Sequence, residues 1–364
     1  MRALVRARRV YCAFPGDAYS PGAVLIEGSR VAWCGPADKS PQAPAVLDLG
    51  DAVVVPGFID AHVHLAFDPG SAPPESAADD DAVVLERMRA GAAALLAAGV
   101  TTARDLGSPG GLGAALRSGR LLVSGPPLTT PGGHLHYLGG AVSGAAAARL
   151  AVRDQAEANA DWVKLVLSGG EVTPGSRLRD PGLSRAQLRA AAREARRQGL
   201  PVAVHAHTVA AARAAIRAGA RTIEHCTLLG ARNGYASALP RGARRKQLFV
   251  TPTANTRWLA GTPAQRKARA RRLAALRRAG AELVAGTDAG IPGVHPGDYA
   301  DGLVALAQHG VPPAAVLRAA TTGAAAALGL PDRGALLPGY LADLVVLSGD
   351  PLADIEAVRH VQAV

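Results

Sequence analysis

Along this chain, short apolar runs alternate with longer stretches in which Ala and Leu recur at helical spacing. Eight such runs occupy the middle of the sequence: "GFIDAHVHL" from Gly57, "GVTTARDLG" from Gly99, "RLLVSGPPLT" from Arg120, "WVKLVLSGG" from Trp162, "PVAVHAHT" from Pro201, "RTIEHCTLL" from Arg221, "LFVTPTAN" from Leu248 and "ELVAGTDAG" from Glu282. Between them lie helical patterns such as "SRAQLRAAAREARRQG", with Ser184 as its N-cap and Gly199 as its stop. Eight strands alternating with helices predict an α/β fold, specifically a (β/α)8 TIM barrel. Outside this region, "GAVLIEG", "RVAWCG" and "LDLGDAVVVPG" near the start, and Leu344 to Leu347 near the end, read as short β segments punctuated by Gly and Pro. The expected organisation is a small β-sandwich domain from residues 1–56 and 335–364 beside a barrel at 57–334.

In such barrels the reactive side chains sit at the C-terminal ends of strands. The polar residues of this chain fall there. Asp60, His62 and His64 close the first strand, Lys164 lies in the fourth, His205 and His207 close the fifth, Glu224 and His225 the sixth, and Asp288 the eighth. Independent core histidines would not all choose one end of a barrel. In "HVH" the two imidazoles are two residues apart, a spacing that points both to one side of a strand and lets them share an ion. Neutral imidazoles with a carboxylate suit Zn²⁺, with Mn²⁺, Fe²⁺, Co²⁺ or Ni²⁺ as the other divalent metals that fit. Glu224 alternates away from His225 and is expected to serve structure.

Lysine usage sharpens this picture. Of forty basic residues only Lys39, Lys164, Lys246 and Lys267 are lysines, and Lys164 alone sits in an apolar run. A neutral amine adds CO₂ to give a carbamate able to bridge two cations, which a guanidinium cannot do. Burial lowers a lysine pKa and supplies that neutral amine. Lys164 is therefore expected to be a carboxylated metal ligand, the other reading being a lysine paired with a carboxylate at the strand ends.

The net charge of +11 across 364 residues raises the question of nucleic acid. Much of the excess falls in "RGARRK" from Arg241 and "QRKARARRLAALRR" from Gln265, and the second alternates Arg with Ala and Leu as the solvated face of an amphipathic helix. No nucleic-acid motif accompanies the charge, so no specific nucleic-acid partner is expected. The charge favours acidic substrates through long-range steering. Cys12, Cys34 and Cys226 are too few and scattered for a disulfide framework, and Cys226 reads as a small buried residue. Without an apolar leader or a membrane-length run, the expectation is a cytoplasmic protein, compatible with a homo-oligomer, acting on a small molecule.

"VVVPGFIDAHVHL", "GVTTARDLG", "DWVKLVLSGG", "VAVHAHT", "TIEHCTLL", "LVAGTDAG" and "GALLPGYLADLVVLSGDPL" resemble, in order and over essentially the whole chain, the signature segments of the amidohydrolase superfamily, above all its imidazolonepropionase-like and Xaa-Pro dipeptidase-like branch. The resemblance implies a metal-dependent hydrolase cleaving a C–N bond, amide or cyclic amide, by a metal-activated hydroxide. His62, His64 and Asp288 would hold the more buried metal, and carboxylated Lys164 would bridge to a second held by His205 and His225. Asp288 and Lys164 would be the catalytic residues. One or two ions are compatible with the pattern, since some members hold a single metal. His134 in "TPGGHLHY", His207 and Arg257 are the candidate substrate contacts, with Glu171, Tyr137 and Asn255 unranked. Arg104 would meet an anionic group or pair internally with Asp105. A lactonase or deaminase on the same shell is the enzyme alternative, and a non-catalytic scaffold the more distant one.

Overall fold

A computed structural model of the protein describes residues 2–230 and 248–364. The basic stretch from Arg241 to Lys246 lies outside the described residues. Both chain ends contribute to one five-stranded sheet, in the order Val361–Ala363, Leu344–Leu347, Val53–Pro56, Arg9–Tyr11 and Ala18–Tyr19. A second, four-stranded sheet runs Arg30–Pro36, Gly22–Glu27, Arg2–Ala7 and Ala45–Asp48. Val5, Val24 and Val31 of the second sheet share a buried cluster with Val10, Val54 and Val346 of the first. The two sheets thus share one apolar cluster.

Cys12 and Cys34 are joined by a disulfide between these two sheets, their Cα atoms 6.6 Å apart. This corrects the reading of the cysteines as too scattered to pair. The reason is topological: Cys12, just past the strand Arg9–Tyr11, meets Cys34 within Arg30–Pro36, 22 positions on in sequence.

The central strands are β1 (Phe58–Val63), β2 (Val100–Asp105), β3 (Leu121–Val123), β4 (Val163–Val166), β5 (Val202–Thr208), β6 (Thr222–Leu229), β7 (Leu248–Thr251) and β8 (Ala281–Leu283). They form two sheets, β3-β2-β1 and β4-β5-β6-β7-β8, in which every neighbouring pair is parallel. Isolated parallel bridges link the sheets at both margins, Ser124 to Trp162 and Val63 to Ala289. Parallel strands are covered on both faces, and all the residues of β1, β4 and β7 are buried, Asp60, His62 and Lys164 included.

Helices α1 (Asp81–Ala97), α2 (Gly144–Glu157), α3 (Arg185–Arg197), α4 (Val209–Ala218), α5 (Pro263–Arg278) and α6 (Tyr299–Gln308) are among those that connect and cover the strands. α3 begins as its sequence predicts: the Ser184 hydroxyl accepts from the Gln187 N–H while the Gln187 side chain accepts from the Ser184 N–H. Its buried residues include Leu188, Ala191, Ala192 and Ala195. α5 opens on the same box, Thr262 with Gln265, and Pro263 occupies its first turn. On α5 the expected solvated face holds for Arg266, Lys267, Arg271, Arg277 and Arg278 but not for Arg272, which is buried, or for half-buried Arg269. Among the described residues, no helix is long and apolar enough to cross a membrane.

Candidate active site

The C-terminal ends of the parallel strands bring together two groups of potential metal ligands. His62, His64 and Asp288 form one, and His205, His207 and His225 the other; within each group the ligand atoms lie within 4.8 Å of one another. In the first, His62 Nε2 is 3.1 Å and His64 Nε2 3.6 Å from an Asp288 carboxylate oxygen. His62 in β1 and His64 just past its end bring both imidazoles to Asp288.

Each ring is held from behind. His62 Nδ1 donates to Glu224 Oε2 at 2.9 Å, and His64 Nδ1 donates to the Gly107 carbonyl at 3.2 Å. With Nδ1 engaged from behind, Nε2 of each ring faces Asp288, and loss of the Nε2 proton gives the tautomer that a metal ligand needs. Glu224 is held in turn by buried Arg104, whose Nη2 donates to Glu224 Oε1 at 3.1 Å and whose Nε donates to the Ala61 carbonyl at 2.8 Å. The Arg104 guanidinium also lies 4.2 Å from the centre of the Trp162 ring. Glu224 therefore orients a candidate ligand, which its alternation along β6 did not reveal. Arg104 pairs with Glu224, neither with Asp105 nor with a ligand in the cavity. Asp105 instead accepts backbone N–H groups of Leu65 and Gly107.

In the second group, His205 Nε2 donates to the Gly169 carbonyl at 2.9 Å, while His207 and His225 meet the hydroxyls of Thr227 and Thr253 at 2.7 and 2.9 Å. The His205 ring centre is 4.6 Å from that of His207 and 4.5 Å from that of His225. His207, a candidate substrate contact from the sequence, lines the cavity and lies in one group with His205 and His225.

Lys164 is fully buried and its Nζ lies 3.4 Å from His62 Nε2. Burial lowers its pKa to about 8, and its charge acts on His64 in one group and on His205 and His225 in the other. Burial likewise pushes His64 and His207 down to about 3, and His205 and His225 well below the usual imidazole range. Desolvation opposes ionisation of Asp288, but the His62 and His64 rings and Lys164 outweigh it and hold the carboxyl below its ordinary range. His64, His205, His207 and His225 as neutral imidazoles, beside an ionised Asp288, form a donor set that fits a divalent cation. Asp288 and His225 both hold their backbones at φ +64°, a conformation that non-glycine residues rarely adopt and that clusters at functional sites.

A cavity of about 430 Å³ opens from these groups. His134 is buried in its wall, 4.7 Å from the His205 ring, rather than exposed on its loop. Thr173 Oγ1 accepts the Leu135 N–H at 2.9 Å and lies 2.8 Å from His134 Nδ1, so the hydroxyl proton is available to Nδ1 and the imidazole proton to Nε2. A Cβ at Gly170 would lie 2.3 Å from that Nε2, which explains the second glycine of "SGG". Arg257, Glu171 and Asn255 also line the cavity, whereas the Tyr137 hydroxyl donates to the Val172 carbonyl. Cys226 is buried with its thiol pushed up to about 12, too high for a nucleophile.

A parallel α/β fold that gathers two histidine-rich donor groups at its strand ends defines a metal-dependent class of hydrolase. The chain belongs to the amidohydrolase family, whose pattern matches residues 53–364, and is a hydrolase of carbon–nitrogen bonds. It is 30% identical over 361 residues to an imidazolonepropionase of Streptomyces griseus, covering 89% of this chain and 85% of that one. Among solved structures it superimposes with a TM-score of 0.84 on an amidohydrolase at 27% identity, covering 99% of this chain and 96% of that one. A prolidase complexed with N-methylphosphonate-L-proline matches with a TM-score of 0.81 at 26% identity, over 99% and 97% of the two chains.

Proposed function

We propose that this protein hydrolyses an amide or cyclic amide at a two-metal centre. His62, His64 and Asp288 would hold one divalent cation, zinc, and His205 and His225 a second, with carboxylated Lys164 as a further ligand. We read the eight central strands as a closed (β/α)8 barrel, residues 57–334, and the two outer sheets as a β-sandwich formed by residues 1–56 and 335–364. The marginal bridges and the shared apolar cluster support that reading. The observation that carries the function is the pair of donor groups on one cavity, with buried Lys164 Nζ 3.4 Å from His62 Nε2.

Bound divalent cations supply two things at such a site, an acidified water and a polarised carbonyl. Asp288 accepts one proton of the attacking water and passes it to the leaving nitrogen. The remaining OH bonds to the carbonyl carbon as the C–N bond breaks, giving a carboxylic acid and an amine. His134 donates from Nε2 to a substrate oxygen, and Glu224 keeps His62 aimed as charge moves through the centre. Linear dipeptides or N-acyl amino acids and imidazolone-like rings are the two substrate shapes, matching a prolidase neighbour and an imidazolonepropionase relative.

Metal analysis of the purified protein, combined with a hydrolysis screen of dipeptides, N-acyl amino acids, cyclic amides and lactones, tests the proposal. Bound zinc with turnover of at least one amide is expected. Turnover of a lactone and of no amide would overturn the bond assignment.

A further inference from the structure

β8 ends at Leu283, and Asp288 sits beyond it on an irregular segment. It nevertheless keeps a left-handed backbone at φ +64°, which a non-glycine residue holds only where its surroundings over-determine it. Those surroundings converge on the residue before it. The Thr287 N–H donates to Asp60 Oδ1 at 3.1 Å and its hydroxyl donates to Asp60 Oδ2 at 2.6 Å. The same hydroxyl oxygen accepts the Ala289 N–H at 3.1 Å, and the Thr287 carbonyl accepts from Asn255 Nδ2 at 2.8 Å. Every polar group of Thr287 is therefore tied.

The peptide group between Thr287 and Asp288 is pinned on both sides, because the Asp288 N–H donates to the His62 carbonyl at 2.7 Å. Asp60 Oδ1 also accepts the His62 N–H at 3.1 Å, so one carboxylate sets the spacing between the His62 backbone and the segment that carries Asp288. Asp60 is fully buried and does not line the cavity. Burying a carboxylate costs far more than packing an apolar side chain, which would fill the space but hold none of these three donors. Asn255 does line the cavity, yet both ends of its amide are engaged, Nδ2 by Thr287 and Oδ1 by the Arg257 N–H at 3.2 Å.

Building on the metal-centre reading above, we propose that Asp60, Thr287 and Asn255 are positioning residues that hold the Asp288 backbone where its carboxylate meets His62 and His64. Asn255, on the cavity wall, acts on the backbone of Asp288 and not on substrate. A carboxylate that both binds metal and moves a proton is sensitive to such a hold, since a misplacement of about 1 Å can cost about 100-fold in rate.

The test uses the full-length protein. Thr287→Val keeps the branched side chain and removes the hydroxyl. Zinc affinity should fall about 10–100-fold in titration of the apoprotein, and kcat for an amide that turns over in the screen should fall about tenfold or more with KM little changed. Thr287→Ser returns the hydroxyl and should recover most of both. Asn255→Ala should weaken zinc binding in the same direction, whereas a substrate contact there would raise KM and leave zinc affinity as in the wild type, which would overturn its place in the clamp. A merely structural tie would lower the melting temperature of Thr287→Val without moving zinc affinity or kcat. Should Thr287→Val fail to fold, Asn255→Ala decides the same comparison. Wild-type zinc affinity and kcat in the folded variants would overturn the positioning role and leave the metal centre standing. Wild-type protein that binds no zinc would overturn both.

Discussion

Individual residues here act through the groups behind them. Glu224 holds His62 by a single proton on Nδ1, and Arg104 holds Glu224 with its charge fully buried. Burial raises the Glu224 carboxyl while Arg104 and His62 more than offset this and keep it ionised. Glu224→Gln keeps an acceptor of similar shape but removes that charge, so metal affinity should fall about 10–100-fold, measured by titration of the apoprotein with zinc. Lys164 gives a complementary test. Lys164→Arg and Lys164→Ala should both lower kcat by more than tenfold in steady-state assays, an order-of-magnitude expectation for losing a ligand that activates water. Wild-type rate and metal content in Lys164→Arg would show that the position needs a positive charge and no carbamate.

Elements convert these contacts into a site. Strand β1 and the position just past its end supply two ligands, and the residues of the strand are buried whichever face they take. The left-handed backbone at His225 and Asp288 bends β6 and the segment after β8 towards the cavity, at a cost of order 1–3 kcal/mol each that the surrounding packing must offset. α3 and α5 start where their capping boxes dictate. Ser184→Ala should therefore lower stability by about 1 kcal/mol, read from urea unfolding, with catalysis little affected because the cap lies outside the cavity lining. α5 differs from α3 in that the same helical period delivers Arg269 and Arg272 to the cavity.

At the scale of the molecule, residues from strand ends far apart in sequence share one cavity, so ligand binding and folding are linked. Chelation should lower the melting temperature, because a metal at about 1,000 times its Kd contributes roughly 4 kcal/mol to the native state alone. Differential scanning calorimetry with and without chelator, followed by zinc add-back, measures this. An unchanged melting temperature after complete metal removal would argue against a metal shared by these elements.

The alternation of apolar runs and helical stretches determined the parallel strands, their order and their capped helices, since local period and turn chemistry act over a few residues. It also determined the candidate ligands, because H-x-H on a strand and a lysine among apolar neighbours carry their meaning locally. Contacts between distant segments were decided only by tertiary structure. Glu224 meets His62 across 162 positions, so its alternation along β6 pointed to structure alone. His207 joins His205 and His225 because β5 and β6 are neighbours. Cys12 reaches Cys34 because their two sheets share one apolar cluster, and Arg272 turns from solvent to cavity because α5 packs beside the strand ends. Charge and hydropathy along a helix give its faces, whereas only packing decides which face meets water and which meets substrate.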